Sequence, residues 1–251
     1  TQVTLSDDQW TRIRDFLRKD PRAYVGQEAN CRRFVEATIW ITRSGAQWRL
    51  LPSEYGDWNA VYKRFARWCE AGVWERMLAH FAEAADMESV MIDSTVDAHT
   101  PVPPARKKSG GQEAQALGRS RGGFSTKIHI VVDGLGNPLR LCLTGGQTHD
   151  ITQAPDLLKD FDVQYVIADR GYAAQALVDQ IVESGAQAVI PPHQRAKAER
   201  EYDRWLYRER HLVECFINKV KHFRRVFSRF DKLARRYTGF LYLVSTIIWL
   251  R

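Results

Sequence analysis

The chain has 251 residues, 44% of them hydrophobic, which is enough for a sizeable core, excludes an intrinsically disordered protein and suits one large domain or one domain with a small attachment. A net charge of +7 and a pI near 9.3 favour a polyanionic partner. Cys31, Cys69, Cys142 and Cys215 are widely spaced with no CxxC, which argues against a zinc site or a disulfide framework; no signal peptide opens the sequence and the longest apolar run, Phe240 to Leu250, is too short for a bilayer, so a cytoplasmic protein without a membrane partner is expected.

Ser6, followed by Asp7, Asp8 and Gln9, reads as a helix start with a capping box, and Trp10, Ile13, Phe16 and Leu17 then recur at helical spacing. A second helix is expected from about Glu28 to Arg43, ending at Ser44-Gly45. A third starts after Asp57, carrying Val61, Phe65 and Trp68 inward and Lys63, Arg64 and Arg67 outward. Helix, glycine turn and basic helix together resemble a helix-turn-helix, which makes Lys63, Arg64 and Arg67 candidate DNA contacts. The plain alternative is a small helical bundle with Trp40, Trp48, Trp58, Trp68 and Trp74 as its core.

Ser89-Val90-Met91-Ile92 is a short apolar run ending in Asp93-Ser94-Thr95, so a buried strand is expected to deliver Asp93 at its end. Thr100 to Gly123 turns Pro-rich and then Gly-rich, with Arg106, Lys107, Lys108, Arg119 and Arg121 scattered through it, and reads as a flexible basic loop. Ser125–Val132 and Leu139–Thr144 form a hairpin around the Asp133-Gly134 to Asn137-Pro138 turn. His149 and Asp150 are secondary site candidates, Asp150 being equally a helix N-cap, and a helix follows to Leu158. Val163 to Ala168 is a second buried strand that puts Asp169 at its carboxyl end, where open α/β sheets hold their ligands. Asp169-Arg170-Gly171-Tyr172 then turns into a helix reaching about Ser184, with Tyr172 a further secondary candidate, and Ala188 to Ile190 is the last strand.

On a helix over Tyr207–Lys221, the residues Tyr207, Arg210, Glu214 and Lys221 fall in one stripe, with Leu206, Val213, Ile217 and Val220 beside them. Between Arg195 and Arg236 there are fourteen Lys or Arg against six Asp or Glu, so this segment alone accounts for the excess positive charge. A solvated helix face would look similar.

The spacing Tyr, two residues, Arg, three residues, Glu, six residues, Lys resembles the catalytic-glutamate motif of bacterial insertion-sequence transposases of the DDE type. Asp93 in IDST and Asp169 in ADRGY match that family's two aspartates, and RSGAQWRLLPSEYGDWNAVYKRFARW resembles the N-terminal domain of its IS-five-like group. The element order is that of a ribonuclease H-like fold. The expectation is therefore a helix-turn-helix-like N-terminal region over residues 1–86 and an α/β ribonuclease H-like catalytic domain over 87–251, with a mixed five-stranded sheet flanked by helices. Only 44 residues separate Asp169 from Glu214, so the large β-rich insertion of some IS-four-like relatives is absent and a hairpin route is left open.

The resemblance implies Asp93, Asp169 and Glu214 as catalytic ligands of two Mg2+ ions, with Mn2+ able to substitute. It also implies Tyr207, Arg210 and Lys221 as contacts to double-stranded DNA, transposon ends and target DNA as substrates, and a homodimer when two ends are paired. Either aspartate alone would pass for a turn or cap residue. Two rival expectations are a catalytically silent, transposase-derived DNA-binding protein and a metal-dependent nuclease without terminal-repeat specificity.

Overall fold

In the computed structural model, which describes residues 4–97, 115–120, 123–193 and 200–251, the first helices start at the caps the sequence supplies. In α1 (Asp7–Lys19) the Gln9 amide donates to the Ser6 hydroxyl at 3.2 Å and the Ser6 amide donates to the Gln9 side chain at 3.0 Å, so two otherwise orphaned donors are satisfied. Helix α2 (Glu28–Ser44) ends at Gly45, whose φ of 67° is left-handed and whose missing Cβ would lie 2.9 Å from the Arg224 Cβ. Asp57 caps α3 (Trp58–Glu70) by accepting from the Ala60 amide at 2.8 Å, and α4 (Val73–Ala82) follows directly. Between Gly45, where α2 ends, and Asp57, where α3 starts, both as expected, the connection carries two short 3-10 turns, Trp48–Leu50 and Ser53–Tyr55.

The sheet follows. β1 (Ser89–Asp97) pairs antiparallel with β3 (Gly123–Asp133), which pairs with β4 (Pro138–Gly145), while on its other side β1 runs parallel to β5 (Tyr165–Ala168) and β5 to β6 (Gln187–Val189). The order β4-β3-β1-β5-β6 is the mixed five-stranded sheet of a ribonuclease H-like core, and a short β2 (Gly118–Ser120) pairs with the first residues of β3. Helices α5 (Ala154–Leu158) and α6 (Gln175–Glu183) cover one face through Val90, Ile92, Val131, Leu157, Val166, Tyr172, Leu177 and Ile181. Helix α7 is shorter than expected, His211–Lys221, because Leu206–Arg210 forms a 3-10 turn before it. Most of the expected basic loop, including Arg106, Lys107, Lys108 and Arg121, lies outside the described residues.

Two compact units result. The sheet unit runs from Ala84 through β1 and over Ala116–Lys219; the helical unit joins the chain up to Glu83 with Val220–Arg251, which carries α8 (Arg224–Phe227) and α9 (Ala234–Trp249). A division at residue 86 follows chain order, whereas the packing does not. Within the helical unit Phe240 of α9 stacks on Phe65 at 4.2 Å, Trp68 and Trp74 meet at 5.0 Å, and both tryptophans are buried. Trp40, Trp48 and Trp58 are half-buried. Among the described residues no helix is long and apolar enough to cross a membrane.

Candidate active site

The parallel pairing of β1 and β5 ends at Ile92↔Ala168, so the next residue on each strand, Asp93 and Asp169, leaves at the same level on neighbouring strands. Adjacent strands lie about 4.8 Å apart, which puts the two residues on neighbouring backbone positions. β1 itself does not stop there: its antiparallel pairing with β3 carries on to Asp97↔Thr126, so Asp93 marks the end of the β5 contact and not of the strand. Asp169 caps the 3-10 turn Arg170–Tyr172, accepting from the Gly171 amide at 2.8 Å.

Asp93 is mostly buried, its side chain 17% exposed. One carboxylate oxygen accepts from the Ser94 amide at 2.7 Å and the other from Arg210 Nη1 at 3.0 Å. The second guanidinium nitrogen of Arg210 donates to Glu214, one turn on, so a single arginine forks between the two acids. Burial lifts the Asp93 carboxyl above its ordinary range; the Ser94 amide and Arg210 pull it back, while Asp169 and Glu214 push it up. Asp169 and Glu214 thus both lie near enough to Asp93 to act on its charge.

Donor chemistry and arrangement differ in what they imply for a metal. Three carboxylates offer hard oxygen ligands of the kind that suit Mg2+ or Mn2+. Among the described residues, however, no three His, Cys, Asp or Glu side chains stand ready around one ion. Between Asp93 and Glu214 the guanidinium of Arg210 stands in for the cation.

Ser94 points to the opposite face of β1 and opens a second polar cluster. Its hydroxyl donates to Asp150 Oδ1 at 2.6 Å, and Lys127 Nζ lies 2.8 Å from the same oxygen. His129, fully buried, sits behind them with Nε2 at 2.8 Å from the Thr144 hydroxyl. Asp150 is thus held by side chains of β1 and β3 and is not a helix N-cap; that position belongs to His149, whose side chain is exposed and joins no site. Tyr172 is buried in the core beside this cluster, its hydroxyl near Ser94 yet without a hydrogen-bond partner. Lys127 and His129 were not singled out by sequence, although their alternation with Ile128 and Ile130 along β3 puts a lysine and a histidine on one face of a strand.

The remaining candidates divide. Tyr207 is half-buried, edge-on to Tyr202 with ring centres 5.5 Å apart, and Lys221 is exposed at the end of α7. Trp205, 75% exposed, carries Arg208 over its ring at 4.2 Å. In the helical unit Lys63 and Arg67 are exposed as expected, whereas Arg64 turns inward: it donates to the carbonyl of Tyr24 at 2.7 Å and lies over the rings of Phe34 and Trp68. Arg64 is therefore an internal brace of that unit, a correction to its expected place on the outer basic face.

Comparison with known proteins adds the family. The description "Transposase DDE domain" matches residues 85–249, and "Putative transposase of IS4/5 family" matches residues 5–78. A Sinorhizobium fredii protein described as "Uncharacterized protein y4sN" is 46% identical over 113 residues, covering 45% of this chain and 90% of its own length. The "Putative transposase for insertion sequence element IS6501" of Brucella ovis is 38% identical over 132 residues, 51% of this chain and 100% of its own. Among solved structures, a piggyBac transposase synaptic complex with hairpin DNA covers 99% of this chain and 72% of that one, with a TM-score of 0.56 at 8% identity, a likeness of fold alone.

Proposed function

The chain belongs to the insertion-sequence DDE transposases of the IS4/5 group, and from that premise we propose that it binds the inverted repeats at the ends of a bacterial insertion sequence, hydrolyses the phosphodiester there and joins the freed 3′-hydroxyl to target DNA. What carries the reading is the strand register that sets Asp93 beside Asp169, with Glu214 tied to Asp93 through Arg210.

Asp93, Asp169 and Glu214 would hold the divalent ions, Mg2+ or Mn2+, whose chemistry is to stabilise the attacking and leaving oxygens of an in-line displacement at phosphorus. The chain's own part is positional. Asp93 is fixed by the Ser94 amide and Asp169 by the Gly171 amide, so both carboxylates meet a scissile phosphate already oriented. Glu214, half-exposed on the first turn of α7, is the acid that can move. In the first step water attacks phosphorus and the bond to the 3′-oxygen breaks; in the second that 3′-hydroxyl attacks a target phosphodiester. No covalent link to protein forms.

Lys63, Arg67, Tyr207 and Lys221 are the contacts we assign to double-stranded DNA, each phosphate-binding cation adding about one to the salt slope of binding. Pairing two ends calls for a homodimer on DNA, acting in the bacterial cytoplasm. The test incubates the protein with Mg2+, DNA carrying candidate inverted repeats and a plasmid target, then sequences the junctions. End-joined plasmids are expected from the wild type, and none from Asp93→Ala, Asp169→Ala or Glu214→Ala, each of which retains end binding. Cleavage surviving in the triple variant would end the reading.

A further inference from the structure

Arg210 binds both acids that the proposed reaction needs, and it does so from the turn just before α7, four residues ahead of Glu214. Its side chain is 24% exposed, against 17% for Asp93 and 50% for Glu214, so the guanidinium closes the half-exposed side of the site. A divalent ion on the same carboxylate oxygens would meet the guanidinium at close range, and two cations held by one oxygen repel one another, so each weakens the hold of the other. The half-buried Tyr207 ring and the exposed Arg208–Trp205 stack precede Arg210 in the chain.

We propose that Arg210 is the internal competitor of the metal: it holds Asp93 and Glu214 together while no divalent ion is bound, and must leave them before one enters. This positioning role rests on the acid site proposed above. It leaves the acid site partly neutralised in the free protein, one guanidinium against three acids, and ties metal entry to the departure of one side chain.

Mn2+ binding to the full chain without DNA, followed by calorimetry or electron paramagnetic resonance, reads the competition directly. Arg210→Gln should bind Mn2+ about ten-fold more tightly than the wild type, the sum of two partly exposed ion pairs, and Arg210→Lys should fall between. In the wild type itself, saturating Mn2+ should raise the rate at which phenylglyoxal modifies Arg210 several-fold, a readout that does not depend on how the variants fold. Equal or weaker Mn2+ binding by Arg210→Gln, or an unchanged modification rate, overturns the proposal. Asp93→Asn in the Arg210→Gln background separates the two layers: if Mn2+ binding disappears, the ion sits at the acids whatever Arg210 does, and if it persists, the acid site is not where Mn2+ binds and both readings fall.

Discussion

Asp93 and Ser94 are neighbours on β1 whose side chains serve opposite faces of the sheet, and the two carboxylates they serve behave in opposite ways. Asp150, on the Ser94 side, is offset by Lys127 and by the Ser94 hydroxyl, and although burial works against it, these partners hold its carboxyl below the ordinary range. Asp93 sits deeper, answers to one arginine and faces two further acids, so burial leaves its carboxyl above that range. The difference is one of partners. A carboxylate whose charge is met by its own strand neighbours reads as a structural element, whereas one left short of cations is where the function proposed above would bring a cation from outside.

The comparison is broken most forcefully by exchanging its two acids. Asp93→Asn should lower end cleavage by at least about a thousand-fold while changing stability by less than about 1 kcal/mol, since Arg210 retains Glu214. Asp150→Ala should do the reverse. It leaves the Lys127 ammonium, 12% exposed, with the Thr148 carbonyl but no countercharge, and takes the acceptor from the Ser94 hydroxyl, which costs about 2 kcal/mol. Cleavage per folded molecule should then stay within about ten-fold of wild type, a loss far below that of a missing ligand. Urea melts set beside a cleavage assay decide it, and a stable but inactive Asp150 variant would move that residue into the catalytic machinery.

His129 sharpens the contrast through pH. Burial, with Lys127 nearby, lowers its pKa from 6.5 to about 4, against the opposing pull of Asp150. Between these values the unfolded chain takes up a proton that the native chain refuses, so stability falls as pH drops through the window and is unaffected above it. The full effect is on the order of 3 kcal/mol. Unfolding midpoints at pH 7 and pH 4.5 should therefore converge in His129→Gln, which has no proton to gain. The raised carboxyl of Asp93 acts in the other direction on acidification, but equally in both proteins, so the difference between them isolates the histidine. Parallel pH profiles would show that the ring is not held neutral by its surroundings.

How far this was legible in the sequence depends on how local each cause is. Ser6 with Gln9, and Asp57, announce their helices because a cap needs only the next three residues. Asp93 and Asp169 stand out where apolar runs stop, which locates the β1–β5 register without naming it. The length of β1 was hidden, since Asp93 to Asp97 has no apolar pattern and is a strand only because β3 pairs with it. Arg64 was misread for a similar reason: its outward position on α3 says nothing of Phe34, thirty residues away, over which it lies. The return of Val220–Arg251 to the first helices is likewise set by contacts such as Phe65 with Phe240, which no local pattern contains.

The smallest expected effect belongs to Tyr172, which lies beside both clusters. Its ring fills the core between the sheet and α6, while its hydroxyl is buried with no partner, and the Ser94 hydroxyl near it donates to Asp150. Burial, and the carboxylates of Asp150, Asp93 and Asp169 around it, raise the phenol far above its usual range, so it stays protonated at any working pH. Tyr172→Phe keeps the ring and removes an unsatisfied donor, a change that should leave stability within about 0.5 kcal/mol of wild type or slightly above it. Cleavage should hold within about two-fold, since a neutral hydroxyl committed to no acid has little to lose. A loss of ten-fold or more at unchanged stability would mean that the hydroxyl turns to one of the carboxylates once DNA and metal are bound, and the division between a structural and a reactive face of β1 would have to be redrawn through this ring.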